Sequence, residues 1–253
     1  MKRAEMLLVS ILLAASTLGA TAQATFAYRG DVWSNSDGFS TNCLGFTDTY
    51  PQQLYNLANA QLPRLGYSPL RGDLGPNFTT SAFLGNVAYP WAVYVHTHGD
   101  NYWAASGYPN VDSAILQDPG SGKCNDSGRD KIRSSSIKSA TGGGVFNLVI
   151  MSTCMLGANA STMPDAFQIE KTKSSTQREF YLGYVYSTYD SAALRFEQAF
   201  WSYLNVNIFH LRTAYQAFTY AMSIGGYAYP DSANPFQANW WGNPNYNGLP
   251  GWS

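Results

Sequence analysis

The chain has 253 residues, with 15 Lys and Arg against 16 Asp and Glu, a formal charge of −1 at pH 7. That balance excludes a protein whose affinity rests on a basic surface, so neither nucleic acid nor an anionic membrane is an expected partner. Charged residues make up only 12% and aromatic ones 15%, a composition that suits a neutral, polar, extracellular surface.

The first residues, "MKRAEMLLVSILLAASTLGATAQA", join Lys2 and Arg3 to an apolar run from Met6 and to small residues that fit cleavage at Ala20-Thr21-Ala22 or Ala22-Gln23-Ala24. This predicts a signal peptide over 1–24 and a secreted chain, extracellular or periplasmic, without a membrane segment after cleavage. Residues 25–253 then form a single domain, about 230 residues being enough for a sizeable core. "ATFAYRGDVW" predicts a first strand. "YPQQLYNLANAQLPRLGY" spaces Leu54, Leu57, Ala58, Leu62 and Leu65 as in a helix that stops at Gly66. A short strand at "YSPLRGD" and a helix at "TTSAFLGNVAY" follow. "WAVYVHTHGDNYW", 91–103, reads as a strand that runs into His96, Thr97, His98, Gly99 and Asp100.

Residues 104–144 read as a long polar connection with room for a hairpin or helical turn, the kind of segment that in a compact domain is usually functional or disordered. "VFNLVIMSTC" is a continuous apolar run, the mark of a buried parallel strand. "EFYLGYVYST" predicts another strand, "DSAALRFEQAFWSYL" and "IFHLRTAYQAFTYAM" two amphipathic helices, and the tail from Gly225 one edge strand near Trp240. Alternating strands and helices imply an α/β fold with a mostly parallel central sheet flanked by helices, whose binding crevice lies at the carboxyl ends of the strands. Both "HTHGD" and "STCMLG" stand at such ends.

Three cysteines leave one over after pairing. Cys43 and Cys124 lie in polar, loop-like contexts where an oxidising compartment favours a disulfide between them. Cys154 is the odd thiol, and its bland reading is a buried structural cysteine. For the histidines, His96-Thr97-His98-Gly99-Asp100 matches most of the H-x-H-x-D-H pattern of metal-dependent hydrolases, but Asn101 stands where the last histidine belongs. His210 is the one remaining histidine, too few donors for such a centre, so no metal site is assigned. A Cys-His reading fits better. Cys154, followed by Gly157, supplies a nucleophile at a strand end, and His98 before Gly99 supplies an imidazole beside an unhindered N–H.

These residues resemble the caspase-like cysteine peptidases, especially the bacterial gingipain and clostripain-like branch. The resemblance rests on a strand ending in His-Gly ("VYVHTHGD"), a second ending in Cys-x-x-Gly ("LVIMSTCMLG"), and a third strand with a Gly, then an acidic residue before a helix with Phe-Trp. "WWGNPNYNG" is similar to a Gly-Asp-Pro turn, with Asn243 in place of the acid, and the likeness covers about residues 50 to 248. It implies a caspase-like three-layer sandwich and a secreted endopeptidase acting on protein or peptide substrates. Cys154 would be the nucleophile, His98 the catalytic histidine, the N–H groups of Gly99 and Cys154 the oxyanion hole, and His96 a supporting residue. No cofactor is required, though a loop has room for a structural calcium ion, and no oligomeric state is implied. The alternative from another class is an inactive secreted binding or structural protein on the same fold. A metal-dependent hydrolase using the HxHxD segment is third.

Other motifs are weak. "PGSGKC" lacks a P-loop glycine at Gln117 and ends in Cys124, and the two RGD triplets read as turns after strands. The basic residues between Lys123 and Lys138 alternate with Asp118, Asp126 and Asp130, as in a solvated loop.

Overall fold

A computed structural model describes residues 28–34, 49–74, 78–88, 90–100, 114–116, 131–144, 146–159, 161–205, 212–229 and 232–250. The expected signal peptide, the Cys43–Cys124 disulfide and His210 lie outside the described residues. The strands are β1 (Tyr28–Ser34), β2 (Tyr67–Arg71), β3 (Ala92–His96), β4 (His98–Asp100), β5 (Ala114–Leu116), β6 (Lys131–Arg133), β7 (Leu148–Ser152), β8 (Phe180–Tyr184) and β9 (Ala238–Gly242). The helices are α1 (Tyr50–Gln61), α2 (Thr80–Asn86), α3 (Ser134–Thr141), α4 (Met163–Ala166), α5 (Asp190–Leu204) and α6 (Ala214–Ile224).

Six strands form the central sheet in the order β2-β1-β3-β7-β8-β9, parallel throughout except for antiparallel β9. Strands β4, β5 and β6 make a separate antiparallel sheet. Every residue of β3, β7 and β8 is buried, which is why their sequences read as continuous apolar runs rather than as alternation. Successive side chains still point to opposite faces. Tyr94, Ile150 and Leu182 join the core under α1, α5 and α6, with Leu54, Phe200 and Ala217. Val95, Met151 and Tyr181 join the core under α2, α3 and α4, with Phe83, Ile137 and Met163. Each fully buried Leu or Phe in these layers contributes roughly 1.5–3 kcal/mol relative to exposure. The molecule is thus an α/β protein with helices on both faces of a mostly parallel sheet. No helix among the described residues is long and apolar enough to cross a membrane.

Local chemistry sets the boundaries. Helix α6 starts at Ala214, later than the apolar pattern from Ile208 suggests. There Thr213 Oγ1 accepts from the Gln216 N–H at 3.1 Å and Gln216 Oε1 accepts from the Thr213 N–H at 3.0 Å, a closed capping box. The polar connection carries the β5–β6 pair and then α3. On β1, Asp31 is fully buried, and Arg29 donates to its two oxygens at 2.9 and 3.0 Å. Burial pushes the Asp31 carboxyl up to about 6 even against the lowering pull of Arg29. Edge strand β2 contains Pro69, and its register against β1 slips by a bulge between the Tyr28 and Gly30 pairs.

Candidate active site

The central strands deliver their ends to one edge. β3 and β7 are neighbours in parallel register, with His96 opposite Ser152, and Gly183 of β8 lies opposite Met151. A continuous strand through "HTHGD" would put His96 and His98 on one face. The chain instead breaks at Thr97: His96 ends β3 in the central sheet, and His98 opens β4 in the small one. The two histidines therefore belong to different sheets.

After Ser152 the chain turns sharply. Met155, next to Cys154, has φ 63, a left-handed conformation that a side chain of its length seldom adopts. Gly157 then crosses the end of β8, its N–H donating to the Tyr184 carbonyl at 2.7 Å. A Cβ on Gly157 would lie 2.2 Å from the Gly183 carbonyl oxygen, so this approach requires glycine. The Tyr181 hydroxyl donates to the Leu156 carbonyl at 2.7 Å and fixes the turn from below.

This turn meets β4. A Cβ on Gly99 would come 2.3 Å from the Cys154 carbonyl oxygen and 2.9 Å from Leu156 Cγ. The structure therefore brings Gly99 against the backbone of Cys154, although 55 positions of chain separate Gly99 from the cysteine (154 − 99). Cys154 is half-buried, and its Sγ accepts from the Thr188 N–H at 3.3 Å. Burial pushes the thiol pKa up, the Thr188 N–H pulls it down, and the Asp190 carboxylate pushes it up again.

Asp190 opens α5. Its Oδ1 lies 3.6 Å from His96 Nε2. The other ring nitrogen, Nδ1, is 2.9 Å from the Ser152 carbonyl and 3.0 Å from Ser152 Oγ. Because a carbonyl only accepts, Nδ1 carries a proton. His96 is thus held between Ser152 and Asp190.

Behind it stands a residue that sequence reading passed over. Glu197 on α5 is buried, with Tyr94 donating to Oε2 at 2.8 Å and Tyr184 to Oε1 at 2.9 Å. Burial pushes this carboxyl pKa up, while hydrogen bonds from Ser152 and the two tyrosines, together with the nearby His96, act the other way. The signal was present: Glu197 lies one helical turn from Ala193 and Trp201, on the apolar face. Among the described residues no three His, Cys, Asp or Glu side chains converge as metal ligands. No protein-family model matches the chain, and no curated protein matches its sequence.

Proposed function

We propose that this chain is a secreted cysteine endopeptidase with a caspase-like fold. The observation that carries the reading is the contact of the Gly99 backbone with Cys154 at the carboxyl edge of a mostly parallel sheet. It unites the His-Gly and Cys-x-x-Gly strand ends from which the family resemblance was drawn. In such an arrangement the Cys154 thiol gives its proton to His98, and the thiolate attacks the substrate carbonyl carbon to form a C–S bond. The N–H groups of Gly99 and Cys154 hold the oxyanion. His98 then returns the proton to the leaving amine as the C–N bond breaks, leaving a thioester. Water, deprotonated by His98, attacks that thioester, releases the acid and restores the thiol.

The test is a cleavage profile on a peptide library with Cys154→Ala as control. The wild-type protein is expected to cut a defined subset of peptides, and the variant to cut none. A wild-type protein that cuts no peptide, with a Cys154 no faster towards iodoacetamide at neutral pH than a model thiol, would sink the reading in favour of a binding protein.

A further inference from the structure

The opposite, amino-terminal edge of the central sheet carries a cavity of about 410 Å³, lined by residues that lead into the strands: Tyr28 opens β1, and Trp91, Asn147 and Glu179 each stand one position before β3, β7 and β8. Backbone hydrogen bonds knit these strand starts together. The Trp91 N–H donates to the Arg29 carbonyl at 2.8 Å, the Asn147 N–H to the Trp91 carbonyl at 2.7 Å, and the Phe180 N–H to the Asn147 carbonyl at 2.8 Å. The volume lies in the range of small-molecule sites, which are usually pre-formed in this way. Asn147 is only 3% exposed. One end of its side-chain amide bonds the Arg178 carbonyl at 2.5 Å, so that end is the nitrogen, and Oδ1 accepts from no described residue. A buried acceptor left open beside a cavity calls for an O–H or N–H that the described residues do not supply.

The walls narrow the chemistry of the occupant. Trp91 is 37% exposed, and its ring meets that of Tyr28 edge to face, 5.4 Å apart at 83°, which leaves at least one face of each ring uncovered by the other. Ring faces carry negative charge density and attract weakly positive C–H groups. Gln168, Glu170, Gln177 and Arg178 line the exposed side, flat polar groups that can bond two neighbouring hydroxyls at once. A charged ligand is poorly served there. The buried Glu179 is already engaged, its Oε1 accepting from the Glu170 N–H at 3.0 Å and its carboxylate bonded by Ser175, while Glu170 and Arg178 bring opposite charges. We propose that this cavity binds a neutral saccharide of mono- or disaccharide size, a hydroxyl donating to Asn147 Oδ1 and the C–H face of a ring lying on Trp91. Cys154 follows the other end of β7, and the length of that five-residue strand, roughly 17 Å, separates the two edges. A glycan held here leaves the thiol edge open, and the proposal does not depend on the peptidase reading.

The experiment is saturation-transfer NMR, observed on the ligand, with the full chain and a panel of glucose, galactose, mannose, N-acetylglucosamine, maltose and cellobiose. Each sugar is present at about 10 mM, so that even a millimolar Kd is visible. At least one is expected to receive saturation, most strongly at its ring C–H protons. Trp91→Ala, at an exposed position, is expected to weaken that sugar's affinity about ten-fold or more, and Asn147→Ala to do the same. Cys154→Ala is expected to bind as the wild type does. Saturation of no sugar in the panel overturns the proposal, as does an unchanged affinity in a folded Trp91→Ala protein. Loss of binding in Cys154→Ala overturns it too, because the sugar then sits at the thiol edge. N-acetylalanine methylamide is the control for a peptide ligand: saturation of this diamide with none of the sugars assigns the cavity to a peptide amide instead. If Asn147→Ala does not fold, Trp91→Ala decides alone.

Discussion

Asp31 and Glu197 are carboxyls buried against the same sheet, and the protein satisfies them in opposite ways. Asp31 meets a guanidinium that engages both its oxygens and also reaches Asn86, donating to its carbonyl at 3.1 Å and to its Oδ1 at 3.2 Å. Glu197 meets hydroxyls, and beyond them lies a histidine directed at the candidate site. A charge closed off by its counter-ion can only influence stability. A charge held by neutral donors stays electrostatically visible to its neighbours, so the same residue type can tune a site.

The contrast can be broken by experiment. The largest effect is expected from Arg29→Ala, which strands the Asp31 carboxyl and costs about 3–5 kcal/mol in denaturant unfolding, with the Cys154 alkylation profile unmoved. Movement of that profile would erase the distinction between the two carboxyls. Next comes pH. The folded-state pKa of Asp31 lies at about 6 against 3.8 for the free group, so the folded chain binds more protons in that window and its stability falls as pH rises through it. The wild type should lose about 3 kcal/mol across the window relative to Asp31→Asn, read by urea unfolding at a series of pH values. Tyr94→Phe removes one of Glu197's donors and should cost about 1–3 kcal/mol in the same unfolding assay. The smallest effect belongs to a third carboxyl, Asp165, which bonds the exposed Lys138 at 2.7 Å and Lys171 at 3.1 Å on the surface. Lys138→Met should change stability by less than about 1 kcal/mol, an exposed pair being screened by water.

Much of the fold could be read from the chain because β3, β7 and β8 announce themselves as apolar runs, and the helices between them by their spacing. His98, Gly99 and Cys154 could be singled out because each stands where such a run ends. The division of "HTHGD" between two sheets could not, since nothing in a five-residue stretch tells which partner strand each half will find; β4 pairs with β5, part of a connection that reads as polar loop. Glu197 was hidden for a related reason. A glutamate in an amphipathic helix normally marks the wet face, and its partners Tyr94 and Ser152 come from strands far back in the chain. Its placement on the apolar face was legible, but the donors awaiting it there were not.

The two outer strands of the central sheet carry one more consequence. On β2, Pro69 lacks an N–H and the bulge beside it disturbs the ladder. On β9, Gly242 is tied to the segment beyond the sheet, its N–H donating to the Thr172 carbonyl at 2.7 Å and its carbonyl accepting from the Ser175 N–H at 3.2 Å. A stray strand from another molecule therefore meets a spoiled template on one side and partly occupied positions on the other. Growth of the sheet from molecule to molecule is hindered at both ends, a protection against aggregation that depends on neither the thiol nor the charges around it.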